Sequence, residues 1–175
     1  MMNLKILFLS LAVITLPMLS QAEEDKPFMV LSPVMENGKE LPVRYSCNGS
    51  SVNPPLEVYN MPPKAKSWAL TVQDLDAPEG VAWTHWIVYN IPPDKISLKD
   101  NYIPGIQLLN DFGNYAYNGF CPIDDRKHRL LFRAYALDVF LESNEGWMIK
   151  DLEKAMRGHL LAKSDLQVVF KKPSL

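Results

Sequence analysis

Three short polar clusters in the middle of this 175-residue chain hold most of what could do chemistry. The first is Asp74-Leu75-Asp76-Ala77-Pro78. The second is His85-Trp86. The third runs from Tyr117-Asn118-Gly119-Phe120-Cys121-Pro122 to His128-Arg129. Two imidazoles can donate N–H bonds to an anion, and an aspartate can fix a ring tautomer or bind a hydroxyl or ammonium group. Gly119 permits close backbone approach, which makes its own N–H a further donor. On this reading His85 is the principal donor and Asp74 holds one of its ring nitrogens, while His128 and Gly119 complete a cradle. A plainer reading stands against it. Asp-x-Asp-x-Pro is commonly a turn whose carboxylates bond their own backbone.

Other chemistries fit less well. Asp74, Asp76, His85 and His128 offer oxygen and imidazole donors to a metal, but the chain has neither His-x-x-x-His nor HExxH spacing. There is no G-x-S-x-G elbow. Cys121 could serve as a nucleophile with His128 only if its thiol were free.

Strands must position these clusters. Trp68 to Gln73 places Trp68, Leu70 and Val72 on one face by its period of two. His85 to Ile91 is β-branched and aromatic, and Pro92-Pro93 stops it. Arg129 to Leu137 reads as a third long strand and Asp165 to Lys171 as a short one, with weaker candidates at Phe28–Leu31 and Leu56–Tyr59. The first cluster ends one strand, and the other two begin strands. Antiparallel neighbours bring such ends together at one edge of a sheet. A helix is expected over roughly Trp147 to Ala162. There Ile149, Leu152, Met156, His159 and Leu160 recur at helical steps, and His159 caps or lines the helix. The connections Pro92–Gly113 and Gly113–Lys127 are long. Tyr102, Tyr115, Tyr117 and Phe120 should pack them into order. Strands first, helix late and one further strand imply a mainly β, antiparallel fold with a flanking helix.

Eighteen basic and 20 acidic residues give a net charge of −2. So weak a balance gives no reason to expect nucleic acid or an anionic membrane surface as partner. Fourteen prolines argue for fixed turns and against a helical bundle. Residues 1–22 read as a secretory signal, with Lys5, an apolar run from Ile6 to Leu16, and Ser20-Gln21-Ala22 as the cleavage site. The run is shorter than the roughly 20 residues of a spanning helix, so stable membrane insertion is not expected. Residues 23–175 then form one domain, periplasmic or secreted. The two cysteines, Cys47 and Cys121, are expected to be bridged in an oxidising compartment; the alternative is two buried thiols.

Read in order, the motifs resemble the phosphatidylethanolamine-binding (Raf kinase inhibitor-like) family, in its bacterial branch. Asp74-Leu75-Asp76-Ala77-Pro78 is similar to that family's Asp-Pro-Asp-Ala-Pro. His85-Trp86 precedes a hydrophobic strand, as it does there. Asn110-Asp111-Phe112-Gly113 and the partial match Gly119-Phe120-Cys121-Pro122 follow, and His128-Arg129 opens the next strand. Upstream, Cys47-Asn48-Gly49 and Asn53-Pro54-Pro55-Leu56 also look similar. The resemblance implies a large antiparallel sheet packed on a smaller one, with a C-terminal flanking helix. It also implies a non-catalytic pocket for a phosphate-like or carboxylate anion, lined by Asp74, Pro78, Trp83, His85, Gly119, Phe120 and His128. No cofactor or metal is implied. The chain departs from the pattern at Leu75, at Phe120 and at Leu130, where the family has Pro, Pro and Tyr. The changes at 120 and 130 are expected to make the pocket mouth more apolar.

Three functions follow. The first is a binding protein for a small anion, with regulation of a protein partner as an extension. The second is a protease or kinase inhibitor, or a host-directed interaction protein, whose pocket is vestigial. The third is a hydrolase or lyase using Asp74, His85 and His128 as acid–base groups.

Overall fold

The computed structural model describes residues 26–100, 102–142 and 146–172. The expected signal segment, residues 1–22, lies outside them. Among the described residues, eight strands and one α-helix follow in chain order: β1 (Met29–Leu31), β2 (Leu56–Tyr59), β3 (Ser67–Asp74), β4 (Trp83–Ile91), β5 (Ser97–Leu98), β6 (Ile106–Gln107), β7 (His128–Leu137), α1 (Ile149–Ala155) and β8 (Leu160–Phe170). Strands β6-β4-β3-β7-β8 form one antiparallel sheet and β1-β2-β5 a smaller one. The mainly β, two-sheet architecture expected from the sequence is the one observed.

The larger sheet is covered on both faces. Trp68, Leu70, Val72, Trp86, Val88 and Phe132 face the small sheet, whose Val30, Leu56, Val58 and Leu98 close one core. Ala69, Ile87, Tyr89, Tyr135 and Leu137 point the other way and pack beneath Leu152 and Met156 of the helical segment. Period-two alternation thus sorts side chains into two cores and leaves few of them in water, which accounts for the nearly continuous apolar runs of β3 and β7.

The expected helix over 147–162 is corrected to Ile149–Ala155. Gly158, at φ +82°, takes a left-handed conformation that favours glycine and turns the chain out of the helix. Leu160 and the residues after it join β8, which pairs with β7 from Leu137↔Leu160 to His128↔Phe170. Spacing alone let Leu160 extend the helical stripe, and ladder pairing with β7 decided otherwise. His159 therefore sits in the turn, where its Nδ1 bonds Asp138 Oδ1 at 2.8 Å. The connection after Pro92 contributes the short strands β5 and β6, whereas that after Gly113 contributes none; Tyr102 and Tyr115 are half exposed, and Tyr117 and Phe120 pack inward.

Cys47 and Cys121 form a disulfide, with Cα atoms 5.3 Å apart. The bridge joins the 46–51 turn to the strand-like segment before Pro122. Ser46 and Phe120 also pair there as an isolated bridge.

Candidate functional site

Register brings the three clusters together. Asp74, the last residue of β3, lies opposite Trp83 of β4 on one side and Leu130 of β7 on the other. His85 stands two residues into β4, and His128 opens β7. The turn after β3 is tied to β7 by the Arg129 guanidinium, which donates to both oxygens of Asp76 at 2.8 and 2.7 Å; the Arg129 N–H adds a bond at 2.9 Å. This fork holds the Asp76 carboxyl at about 2. Leu75 uses its own N–H to reach Arg129 O at 2.9 Å, a rung that a proline there would lack.

A cavity of about 780 Å³ opens at this edge. Of the residues singled out in the sequence, Asp74, Pro78, Trp83, His85, Phe120 and His128 line it. So do Val81, Asp111, Phe112, Ile123 and the start of the helical segment, Met148 to Asp151. Two expectations are corrected. Gly119 lies outside the lining, and its N–H donates to Ser51 Oγ at 2.9 Å. A Cβ at position 119 would fall 2.3 Å from that same oxygen and 2.9 Å from the Ser46 carbonyl carbon, so the neighbouring turn leaves little room for a side chain. Leu130 is fully buried in the main core and does not reach the mouth.

The pairing of the polar groups also differs from expectation. Asp74 binds His128, not His85: its Oδ2 lies 2.8 Å from His128 Nδ1, while Oδ1 accepts the Asp76 N–H at 2.9 Å. The other His128 nitrogen, Nε2, lies 2.9 Å from Asp124 Oδ1. Only a doubly protonated ring can donate to both carboxylates. Burial pulls the His128 pKa down, but its hydrogen bonds to Asp124 and Asp74 and their charges outweigh burial and raise it. Bonds from His128 and then Arg126 push the Asp124 carboxyl well below its ordinary range. His128 is thus held between two acids, with no N–H left for a ligand.

His85 is the free group. Its Nδ1 is 2.9 Å from the Asn118 carbonyl, which can only accept, so that nitrogen carries the proton. Nε2 has no protein partner among the described residues and is not sealed from solvent. In the neutral ring it is an acceptor. Burial is the main influence on this ring and lowers its pKa. Phe112 meets the imidazole edge-on at 5.1 Å, and Trp83 meets Phe112 at 5.7 Å.

The supporting frame was only half visible in the sequence. Asn110 is buried and acts as a hub. Its Nδ2, with two hydrogens to give, lies within 2.8–3.0 Å of three acceptors, His85 O, Ala116 O and Asn118 Oδ1, and its Oδ1 accepts from the N–H groups of Phe112 and Asn114, both at 3.0 Å. Asp111 Oδ2 accepts the Thr84 N–H at 2.6 Å and locks the loop to β4. The Asn110-Asp111-Phe112-Gly113 motif had marked these residues without giving them roles. Asp124, Ile123 and the helix start carried no local signal, because only tertiary packing brings them to the cavity.

Residues 31–171 match the family model described as phosphatidylethanolamine-binding protein. A UPF0098 protein of Methanothermobacter thermautotrophicus is 40% identical over 139 residues, covering 75% of this chain and 91% of that one. A UPF0098 protein of Chlamydia trachomatis is 40% identical over 146 residues, covering 81% and 97%. Among solved structures, a putative phosphatidylethanolamine-binding protein homologue from Chlamydia trachomatis superposes with a TM-score of 0.80 at 39% identity, covering 84% of this chain and 99% of that one. E. coli YbcL, described as a new member of the mammalian family, gives 0.77 at 26% identity, covering 85% and 100%.

Proposed function

The chain belongs to the phosphatidylethanolamine-binding protein family, and on that premise we propose that it is an exported, non-catalytic binding protein whose cavity takes the phosphoryl or carboxylate headgroup of a small molecule at His85. One observation carries this reading: Nε2 of His85 opens on the cavity without a protein partner, while both nitrogens of His128 are spent on carboxylates. A neutral Nε2 accepts and cannot donate. The headgroup must therefore arrive with a proton, or the ring must take one up. Binding is then coupled to one proton and strengthens as pH falls through the histidine range.

His85→Ala should weaken headgroup binding by about 1.5–3 kcal/mol, the scale of a hydrogen bond to a charged group. His159→Ala, across the fold in its turn with Asp138, should leave binding unchanged. Calorimetry with phenylacetate and phenyl phosphate between pH 5.5 and 8 reads both variants. Equal losses, or affinity that rises with pH, would refute the role given to His85. Turnover of an ester substrate would replace this reading by the acid–base one.

Export is the second element. It is supported by the character of residues 1–22 and by a disulfide that suits an oxidising compartment. Mass spectrometry of the protein made in its native host should find Glu23 at the N-terminus. An intact Met1 in the cytosol would refute export. A protein partner is favoured by one further feature. Val81, Trp83, Phe112 and Ile123 stand exposed on the cavity lining, Ile123 at 84% and Val81 at 68%.

A further inference from the structure

We propose that the cavity selects ligands whose apolar body is aromatic, and that Trp83 and Phe112 are the residues that read that body. The inference rests on His85 being the headgroup site. Five aromatic side chains line the cavity and form one unbroken series: Trp83, Phe112, His85, Phe120 and His128. Neighbouring centroids lie 5.7, 5.1, 5.3 and 5.6 Å apart, and each pair is tilted or edge-to-face. The inner end is closed, since Phe120 and both imidazoles are buried. The outer end is open: Trp83 and Phe112 are each 43% exposed, so both keep free ring surface.

Both outer rings are mounted on fixed backbone. Trp83 opens β4 and pairs with Asp74 of β3. Phe112 stands on the Asn110 hub, its N–H donating to Asn110 Oδ1 at 3.0 Å, and the Asp111 N–H before it donates to Thr84 O at 3.1 Å. Such mounting lowers the ordering cost when a ligand arrives. A volume of about 780 Å³ falls in the range of pockets that enclose drug-sized ligands, and a bare anion leaves most of it empty. A headgroup at His85 therefore leaves room for a body. Phe112 links that headgroup to the outer wall, because its ring meets both His85 and Trp83. Aromatic rings favour offset and edge-to-face contacts with one another, which add to what buried area alone supplies. Met148, on the same lining, brings a thioether that also favours ring edges. Val81 and Ile149 accept an aliphatic body equally well, so the preference falls to the rings. The Trp83 indole N–H is a donor in its own right, and a variant that keeps a ring without it separates the two roles.

The experiment compares phenylacetate with cyclohexylacetate by calorimetry at pH 6.5, on the whole protein. The two acids share a headgroup and differ in whether the six-membered ring is aromatic. Wild type should bind phenylacetate at least about threefold more tightly, the scale of one aromatic contact. The substitutions Trp83→Leu and Phe112→Leu fall on half-exposed side chains and keep an apolar surface. Each should bring the ratio below about twofold, and the two together should abolish it. Trp83→Phe, which keeps a ring and loses the N–H, should hold the wild-type ratio. A wild type that binds cyclohexylacetate as tightly as phenylacetate overturns the inference. So does a ratio that survives both leucine substitutions, or one that Trp83→Phe removes as fully as Trp83→Leu. In each of these cases a loss of both acids in His85→Ala leaves the headgroup site standing. Binding that His85→Ala does not weaken, or a wild type that binds neither acid, overturns both.

Discussion

Replacing His128 by alanine should destabilise the protein by about 3–5 kcal/mol, the cost of removing one partner from a buried ion pair. The reason lies in what stays behind. Asp74 is only 4% exposed, and without the imidazolium its carboxylate keeps a single donor, the Asp76 N–H. Asp124→Ala removes the other contact of the same ring but should cost far less. The Asp124 side chain is about one-third exposed, so water replaces much of what is lost. Urea melts of the two variants measure the contrast. Equal costs would mean that His128 is not held chiefly by the buried acid.

The same ring makes stability depend on pH in a definite direction. The folded pKa of His128 is raised, so the native state binds its proton more tightly than the unfolded chain does. Its contribution is complete below the unfolded value of about 6.5 and is lost as pH rises through the folded value. His85 works in the opposite sense. Its folded pKa is lowered by burial, so its contribution is present above the unfolded value and is lost as pH falls through the folded one. Wild type should therefore weaken on the alkaline side, and His128→Ala should be flatter there.

The sheet was legible in the sequence because its strands obey local rules. Trp68, Leu70 and Val72 alternate, Pro92 closes β4, and the clusters at 74, 85 and 128 fall at strand ends that antiparallel pairing must join. The helix was carried too far beyond Ala155, since Leu160 satisfies both a helical stripe and a ladder partner, and only contact with Leu137 distinguishes them. At the site, residue types were readable but pairings were not. Nothing along the chain states that Asp74 turns toward His128, or that Asp124 closes on the ring from four residues before it. The meaning of Gly119 was hidden for the same reason: the atoms that crowd a side chain there belong to Ser46 and Ser51, the latter 68 residues away.

Removing the disulfide, by Cys47→Ala with Cys121→Ala, should lower stability by about 4–5 kcal/mol, because the bridge closes a loop with a sequence separation of 74 and its entropy cost falls on the unfolded chain. The native site should change little. The segment carrying Phe120 is tied to the 46–51 turn by the Cys47 N–H to Phe120 O bond at 3.0 Å and the Gly119 N–H to Ser51 Oγ bond at 2.9 Å, neither of which uses sulfur. Those two bonds hold the backbone of that segment in place with or without the bridge. The double variant should thus unfold at a much lower urea concentration while binding phenylacetate within about twofold of wild type, provided the assay is run where the variant is folded. The unfolded chain, freed of its cross-link, exposes more surface, so the urea slope should rise modestly. A loss of less than about 1 kcal/mol would show that the unfolded chain stays compact without the bridge. A loss of binding in the folded variant would show instead that the bridge shapes the cavity wall at Cys121 directly.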